Sequence, residues 1–452
     1  MSNVLVQRAV RYALLTSASV STALTSIGVL AQEQTDAAVD SLESVVVTGT
    51  RIKRQDYEAS SPVVTISADV FASAGTQQIE SVLNELPQLV PSITTTSNNP
   101  SNGGQANLDL RGLGLSRTLV LLDGTRLVPS NASGVIDLNT IPTGLIESVE
   151  ILTGGSSSVY GSDAIAGVVN VRTKRNFEGL SFRLRSGLTA ESDGRTKLGE
   201  LMLGGNFADD RGNAVIALTF DTRDSLLAGE RPFSVVQFGP NLRPQGSTST
   251  PEGRIAFAAT NLPSQAAYTA LFGAGVQNNA AVGFNADGTL FSYTPVRNYT
   301  GNTNDPGFNP DNFSYNFAPV NYLQLPLERK QLAGFVRYTL NEKAEMYGRL
   351  MYTTYEAPQQ LAPTPVSAGV GTTVPATNPL IPPQLRTLLN ARPNPAATFT
   401  LERRYSEAGP RIQLNDWESS QALMGVRGDF SFRDQEWNWD VSASYGQVKG
   451  LQ

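Results

Sequence analysis

The chain has 452 residues, with 34 basic and 40 acidic side chains and a formal net charge of −6. This balance argues against a dedicated nucleic-acid binder, which needs a basic surface. The sequence contains neither cysteine nor histidine, so disulfide frameworks, thiolate zinc sites and histidine-dependent catalytic triads are excluded. With 40 glycines, 26 prolines and only 40% apolar residues, the composition favours a β-rich chain with long loops over a helical bundle.

The first 31 residues have the pattern of a secretory signal peptide. Arg8 and Arg11 carry its only charges, and Ala31 is the small residue that a signal peptidase requires. We therefore expect export through the Sec pathway and a mature chain that begins near Gln32. No later apolar run reaches the ~18 residues of a membrane-spanning helix, so a membrane-embedded mature chain would have to be a closed barrel.

Residues 32–49 combine a tail with a strand-forming peptide. Residues 32–42 are polar and acidic, which is typical of a flexible tail. The peptide Glu43-Ser44-Val45-Val46-Val47-Thr48 has three consecutive β-branched residues and precedes the turn-forming Gly49. Such a peptide can join the sheet of another protein as an edge strand, and it can equally be the first strand of the next domain.

Residues 50–176 have the mixed pattern of a small α+β domain. A helix is predicted over residues 76–86, and the following residue, Pro87, ends it. Strands are predicted over 62–66, 107–111, 117–122, 125–128, 148–152 and 167–173, with a short helix over 141–146. The glycine-rich stretch 154–163 lacks the Gly-Lys of a phosphate-binding Walker loop, so we interpret it as a structural turn.

Three stretches of this domain resemble the plug domain of TonB-dependent outer-membrane receptors. They are residues 110–114 (LRGLG), 117–124 (RTLVLLDG) and 141–171, which contains IESVEIL and YGSDAIAGVVNV. Residues 43–48 similarly resemble the Ton box of this family, the exposed strand on which the energy-transducing partner pulls. The resemblance implies an outer-membrane location in a Gram-negative cell, contact with outer-membrane lipid, a TonB-type partner in the inner membrane, and transport without covalent chemistry or a cofactor.

From residue 177 to 452, alternating apolar and polar positions predict antiparallel strands of a transmembrane β-barrel. Between 437 and 445 the odd positions are apolar and the even ones polar, as expected of a strand with one face toward lipid. Seven strands are predicted, around 182–188, 198–207, 214–221, 331–340, 345–355, 424–432 and 437–445. A soluble β-sandwich would also alternate, so the membrane assignment depends on the signal peptide and the family resemblance.

An outer-membrane barrel that surrounds a plug domain has roughly 22 strands, so seven strands are too few to close it. Gln452 also differs from the terminal aromatic residue that the family resemblance implies. We therefore expect an α+β plug domain followed by an incomplete antiparallel transmembrane β-barrel, a truncated fragment that holds only the first strands.

Candidate ligand-binding residues lie in loops that should face the cell exterior. The long loop 225–327 has nine charged side chains but fourteen aromatics and twelve asparagines. Aromatic faces with amide groups suit a neutral glycan, whereas an anionic siderophore would call for more arginine. These aromatics could instead pack the loop on itself. In the uncharged plug loop the candidates for binding a small extracellular ligand are Thr95, Asn98, Asn99, Asn102 and Gln105.

These features together predict an outer-membrane receptor for TonB-coupled uptake of a scarce ligand, either a glycan or an iron chelate. Two other classes of protein stay open. A passive porin or an adhesin would need no energy-transducing partner. A glycosidase could work with carboxylates alone, because paired Asp and Glu residues do not need histidine. No catalytic residue, metal ligand or nucleic-acid partner is predicted.

Overall fold

The computed structural model describes residues 63–76, 78–94, 96–98, 103–367, 370–433 and 435–451. The predicted signal peptide, flexible tail and Ton box, residues 1–49, lie outside these ranges. Within the described ranges, no helix has the length and apolar character needed to cross a membrane.

A small α+β domain comes first in the described chain. Its elements are β1 (Val63–Ser67), α1 (Ala68–Ser73), α2 (Ile79–Leu83), β2 (Thr118–Leu122), β3 (Thr125–Arg126), β4 (Ile146–Thr153), α3 (Ser157–Tyr160) and β5 (Gly167–Thr173). Short 3-10 turns occur at Leu115–Arg117, Leu138–Thr140, Thr143–Leu145 and Ser162–Ala164. The strand order is β1-β4-β5-β2-β3, in which only β2 and β5 run parallel. Strands β2, β4 and β5 carry the core: β2 is buried along its whole length, and β4 and β5 are buried along most of theirs.

Several sequence predictions in this domain are wrong in extent. The helix predicted over 141–146 is a 3-10 turn at Thr143–Leu145, and the strand predicted over 125–128 ends at Arg126. The helix predicted over 76–86 spans only Ile79–Leu83, because Gln78 is extended, and the unpredicted helix α1 precedes it. The strand predicted over 107–111 forms only an isolated bridge between Leu110 and Leu89. The polar groups of that segment instead bond to neighbouring loops, so a strand ladder is not needed to satisfy them.

In the rest of the described chain, most of the regular secondary structure is β-strand. Its strands are β6 (Gly179–Gly187), β7 (Thr196–Phe207), β8 (Gly212–Arg223), β9 (Leu226–Leu227), β10 (Arg254–Ile255), β11 (Val282–Phe284), β12 (Leu290–Tyr293), β13 (Val296–Arg297), β14 (Tyr322–Gln324), β15 (Leu327–Asn341), β16 (Ala344–Glu356), β17 (Gln359–Leu361), β18 (Pro365–Val366), β19 (Thr372–Val374), β20 (Phe399–Arg404), β21 (Arg411–Gln413), β22 (Asp416–Phe432) and β23 (Gln435–Leu451). Its helices are α4 (Gln265–Phe272) and α5 (Pro383–Asn390), and its 3-10 turns are Ala228–Glu230, Ala259–Asn261, Ala318–Val320 and Ser406–Ala408.

Seven of these strands form one antiparallel sheet, which we call the wall sheet. Its order is β6-β7-β8-β15-β16-β22-β23. This confirms the seven predicted strands and the predicted fold class of an α+β domain followed by an antiparallel sheet. Within the described residues the two edge strands, β6 and β23, do not pair with each other, so the sheet is open.

The two faces of the wall sheet differ in chemistry. One face packs on the α+β domain, where Val215, Ala217, Ala333 and Met351 join its hydrophobic core. The opposite face exposes large apolar side chains, among them Leu180, Phe182, Leu184, Ile216, Leu218, Phe220, Val336, Leu350, Met424, Val441 and Tyr445. An exposed apolar band of this kind is what a lipid-facing barrel surface requires.

The connections between wall strands are short at one end of the sheet and long at the other. Turns of two to four residues join β7 to β8, β15 to β16 and β22 to β23. The segments 224–326 and 357–415 connect strands at the opposite end. In outer-membrane barrels the long connections face outward. We therefore call the two ends of the wall sheet the inner end and the outer end.

The two long connections fold together into an outer subdomain. Strand β10 of the first pairs with β20 of the second, within a sheet that also contains β11, β12, β13, β18 and β19. Helices α4 and α5 contribute Tyr268, Phe272, Leu385 and Leu388 to a shared core. The predicted long loop 225–327 corresponds to the connection 224–326, which contains short strands and helix α4. The two segments share this core, and residues 281–313 of the first segment form a second cluster of their own.

The aromatic residues of the first connection pack against one another. The rings of Phe291, Tyr293, Tyr299 and Phe313 lie 4.6 to 5.3 Å apart between centroids. Phe291 and Tyr293 are almost completely buried. This arrangement is the alternative in which the aromatics stabilise the loop itself. It leaves Phe291, Tyr293 and Phe313 inaccessible to a glycan, whereas Tyr299 is half-buried.

Candidate functional site

A buried ion pair lies on the face of the wall sheet that contacts the α+β domain. Arg329 of β15 and Asp221 of β8 are direct cross-strand partners. The Nε and Nη2 atoms of Arg329 donate to the two carboxylate oxygens of Asp221 at 2.8 and 3.2 Å. The two side chains are only 2% and 0% exposed. Because both charges are desolvated, each depends on the other, and the pair holds the guanidinium in one orientation.

This oriented guanidinium reaches the α+β domain through Asn139. The Nη1 atom of Arg329 donates to the side-chain oxygen of Asn139 at 3.2 Å, and Gln331 donates to its backbone carbonyl at 2.8 Å. The side-chain amide of Asn139 in turn donates to the carbonyl of Gly104 at 3.1 Å. A charge pair of the wall sheet thus holds two loop segments of the domain in place.

Asp137 forms a second junction between the α+β domain and the wall sheet, beside the junction that Arg329 and Asn139 form. Its carboxylate accepts a 2.6 Å hydrogen bond from the hydroxyl of Tyr355 on β16. The other oxygen accepts from the backbone N–H groups of Ala106 and Asn139, both at 3.0 Å. Burial raises the pKa of Asp137 to about 6, although the hydrogen bonds act in the opposite direction. The charge of this junction therefore changes close to neutral pH.

Close backbone contact completes the junction near the outer end. The indole N–H of Trp417 donates to the carbonyl of Gly103 at 2.7 Å. At Gly104, which has a φ of +73°, an added Cβ would overlap the Cβ of Ala357. Only glycine permits both this backbone conformation and this approach. The domain and the wall sheet are therefore in contact at the level of the backbone.

The structure places two of the five predicted ligand-binding residues. Asn98 exchanges two hydrogen bonds with the backbone of Gln360, accepting from its N–H at 3.2 Å and donating to its carbonyl. Gln105 is buried and accepts from the hydroxyl of Ser130 at 3.1 Å. The other three, and the predicted Ton box, lie outside the described residues: Thr95, Asn99, Asn102 and residues 43–48. The roles of all these residues in binding stay predictions.

The junction residues themselves were missed by the sequence analysis. Asp221 and Arg329 lie within or beside predicted strands, at positions that alternate with residues of the exposed face such as Phe220 and Lys330. A charged residue at a position that faces the inside of a predicted barrel is a detectable signal. For Asp137 and Asn139 there was no local signal, because their partners are distant in sequence.

Comparison with known proteins agrees with this geometry. A family model described as "TonB-dependent Receptor Plug Domain" matches residues 55–168. Residues 55–168 therefore match the plug domain of TonB-dependent receptors. The resemblance identified from the sequence is confirmed, and the α+β domain is hereafter called the plug.

A curated relative extends the similarity beyond the plug. The vitamin B12 transporter BtuB of Vibrio vulnificus is 31% identical over 195 residues, which cover 41% of this chain and 30% of the relative. The chain therefore spans about a third of the length of that transporter.

Solved structures of receptors are similar at lower identity. A mutant of the ferric enterobactin receptor PfeA of Pseudomonas aeruginosa has 15% identity and a TM-score of 0.44, covering 86% of this chain and 41% of that chain. The siderophore receptor PirA of Acinetobacter baumannii has 15% identity and a TM-score of 0.38, covering 86% and 48%. Similarities at this level carry no information about the ligand.

Proposed function

We propose that this chain is the plug-bearing part of an outer-membrane receptor that takes up a scarce ligand with energy from a TonB-type protein. The observation that carries the proposal is the plug held against one face of a sheet whose other face is an exposed apolar band. The apolar band suits lipid, and the plug occupies the side that would be the lumen. A passive pore has no need of a plug bound to its wall at Asp137 and Asn139.

The proposed route of force begins at the Ton box, residues 43–48. We expect these residues to add as a strand to the sheet of the energy-transducing partner. The chain then enters the plug through β1, which pairs with β4 alone among the described residues. An edge strand with five paired residues can be pulled away without dismantling the central strands. Force on the Ton box would thus disturb the plug while the wall sheet stays intact.

The identity of the ligand is part of this proposal, and three classes of ligand are candidates. The sequence suggested a glycan or an iron chelate, and the name of the Vibrio vulnificus relative adds vitamin B12. Of the fourteen aromatic residues that favoured a glycan, five pack against one another around Phe291, whereas Phe233 and Phe238 are exposed. The packing weakens the argument for a glycan without removing it. We place vitamin B12 and an iron chelate before a glycan, and we expect no covalent chemistry.

A deletion strain tests the proposal directly. Growth would be measured with vitamin B12, a ferric siderophore or an oligosaccharide as the limiting nutrient, with and without the TonB-type protein. The receptor hypothesis expects a growth defect on one of these nutrients that requires the partner protein. Uptake that is independent of the partner would support a passive porin or an adhesin. Hydrolysis of the oligosaccharide by the purified chain would support the glycosidase alternative.

A further inference from the structure

A cavity lies between the plug and the inner half of the wall sheet. Its volume is about 70 Å³. The plug contributes Asp123, Thr125 and Arg175, and the wall sheet contributes most of the remaining lining. The charged side chains around it are Asp123, Arg175, Arg337, Arg349, Arg427 and Asp440. Four arginines thus surround the cavity with two carboxylates.

Arg349 of β16 is the buried member of this set. Its side chain lines the cavity and the residue is only 6% exposed. The Nη1 atom donates to the carbonyl of Leu122 in the plug at 3.0 Å. Its Nε and Nη2 atoms have no hydrogen-bond partner among the described residues. The cross-strand neighbours on either side, Phe335 and Leu423, are apolar and supply no acceptor.

The unpaired edge of Arg349 is the edge that Arg329 uses to bind a carboxylate. In Arg329 the Nε and Nη2 atoms hold the two oxygens of Asp221. The same two parallel N–H groups of Arg349 are buried with no such acceptor. A guanidinium fork matches the spacing of the oxygens in a carboxylate or phosphate, and unpaired buried donors are unfavourable. The site is therefore complementary to an oxyanion.

The carboxylates at the cavity already have partners and leave this edge free. Asp123 accepts from the hydroxyl of Thr173 at 2.6 Å and pairs with Arg175 at 3.0 Å. Asp440 accepts from the hydroxyl of Tyr347 at 2.6 Å. We propose that this cavity binds a small oxyanion, a carboxylate or phosphate group, through the Nε and Nη2 atoms of Arg349. The site goes beyond the uptake function and does not depend on it.

Calorimetric titration of the full chain in detergent micelles tests the site. The probes are inorganic phosphate and acetate at constant ionic strength, with uncharged acetamide as the control ligand. Wild type should bind both anions saturably and bind acetamide at least tenfold more weakly. R349M should weaken anion binding at least tenfold. R433M removes the same charge at the turn between β22 and β23, away from the cavity, and should bind as wild type does.

A conservative variant covers the case in which R349M does not fold. R349K keeps the charge but cannot form two parallel hydrogen bonds, so it should also bind less tightly than wild type. The absence of saturable anion binding by wild type, or binding by R349K and R349M equal to wild type, would overturn the proposal.

Ferric citrate distinguishes two sources of the oxyanion. Competition with phosphate that is stronger for ferric citrate than for the same concentration of iron-free citrate would assign the site to an acid group of a transported chelate. Equal competition by the two would assign it to a free anion. Both results agree with an oxyanion site at Arg349, and they differ only in what fills it.

Discussion

The hydroxyl of Tyr355 on the wall sheet donates a 2.6 Å hydrogen bond to the carboxylate of Asp137 in the plug. Both side chains are buried, and the same carboxylate also orders two backbone N–H groups of the plug. This bond joins residues that are 218 positions apart in the sequence. The bond can form only when the plug lies against the wall sheet, so its loss would indicate that the plug has moved.

Removal of this hydroxyl should weaken the contact without changing packing volume. Tyr355→Phe leaves one acceptor of Asp137 unpaired and buried, which should lower the free energy of unfolding by about 1–3 kcal/mol. Urea titration of the chain in detergent micelles measures the change. Tyr352→Phe, on the exposed face of the same strand, is the matched control and should change stability by less than about 0.5 kcal/mol. Equal effects of the two variants would contradict the assigned role of Tyr355.

Breaking the buried ion pair between Asp221 and Arg329 should lower the free energy of unfolding far more than breaking an exposed ion pair on β15. Asp221→Asn removes the carboxylate that binds the buried guanidinium of Arg329 through two hydrogen bonds, and we expect a loss of about 3–5 kcal/mol. Glu328→Gln breaks the exposed pair with Lys330 and should cost less than about 1 kcal/mol. The same urea titration compares them. A loss below 1 kcal/mol for Asp221→Asn would show that the pair does not orient the junction.

The stability of the chain should depend on pH through Asp137. Its pKa is raised by burial to about 6 in the folded chain, against about 3.9 in an unfolded chain. The folded state therefore binds the proton more tightly, and this contribution to stability is lost as pH rises from about 4 through about 6. The loss should be at most about 3 kcal/mol. Unfolding measured between pH 4 and 7 should show this fall in wild type, and Asp137→Asn should flatten it.

One methyl group added at Gly104 should weaken the contact between the plug and the wall sheet near the outer end. Gly104→Ala and Gly134→Ala both replace a glycine with positive φ, but only the first also meets a neighbour, Ala357. Gly104→Ala should therefore cost about 1–3 kcal/mol more than Gly134→Ala. Faster proteolysis of the plug in the Gly104 variant would be an independent sign of its release. Identical stabilities would show that Ala357 can move away from the added methyl group without an energetic cost.

Energised uptake should depend on the strand-forming capacity of the predicted Ton box. Val46→Pro removes a backbone N–H and should abolish uptake while ligand binding at the cell surface is retained. Asp40→Pro, in the predicted flexible tail, is the control and should take up ligand normally. Uptake and binding would be measured in the same cells. Normal uptake by the Val46 variant would mean that residues 43–48 only form a strand of the fold.

The sequence by itself determined the plug and the seven wall strands. The apolar runs of β2 and β5 and the alternation in β22 and β23 are local properties, readable within ten residues. The predicted strand over 167–173 agrees with β5 residue for residue. The parity of the lipid-facing positions also follows from the sequence, because side chains on a strand alternate strictly between its faces.

Only the tertiary structure decided which residues meet across the plug and the wall. Asp221 and Arg329 are 108 positions apart, and Asn98 meets Gln360 across 262 positions. The outer subdomain likewise exists only because β10 and β20 pair between two separate connections. Such contacts leave no periodic pattern in the sequence. Their stability arises from burial and hydrogen bonds that form only when distant segments come together.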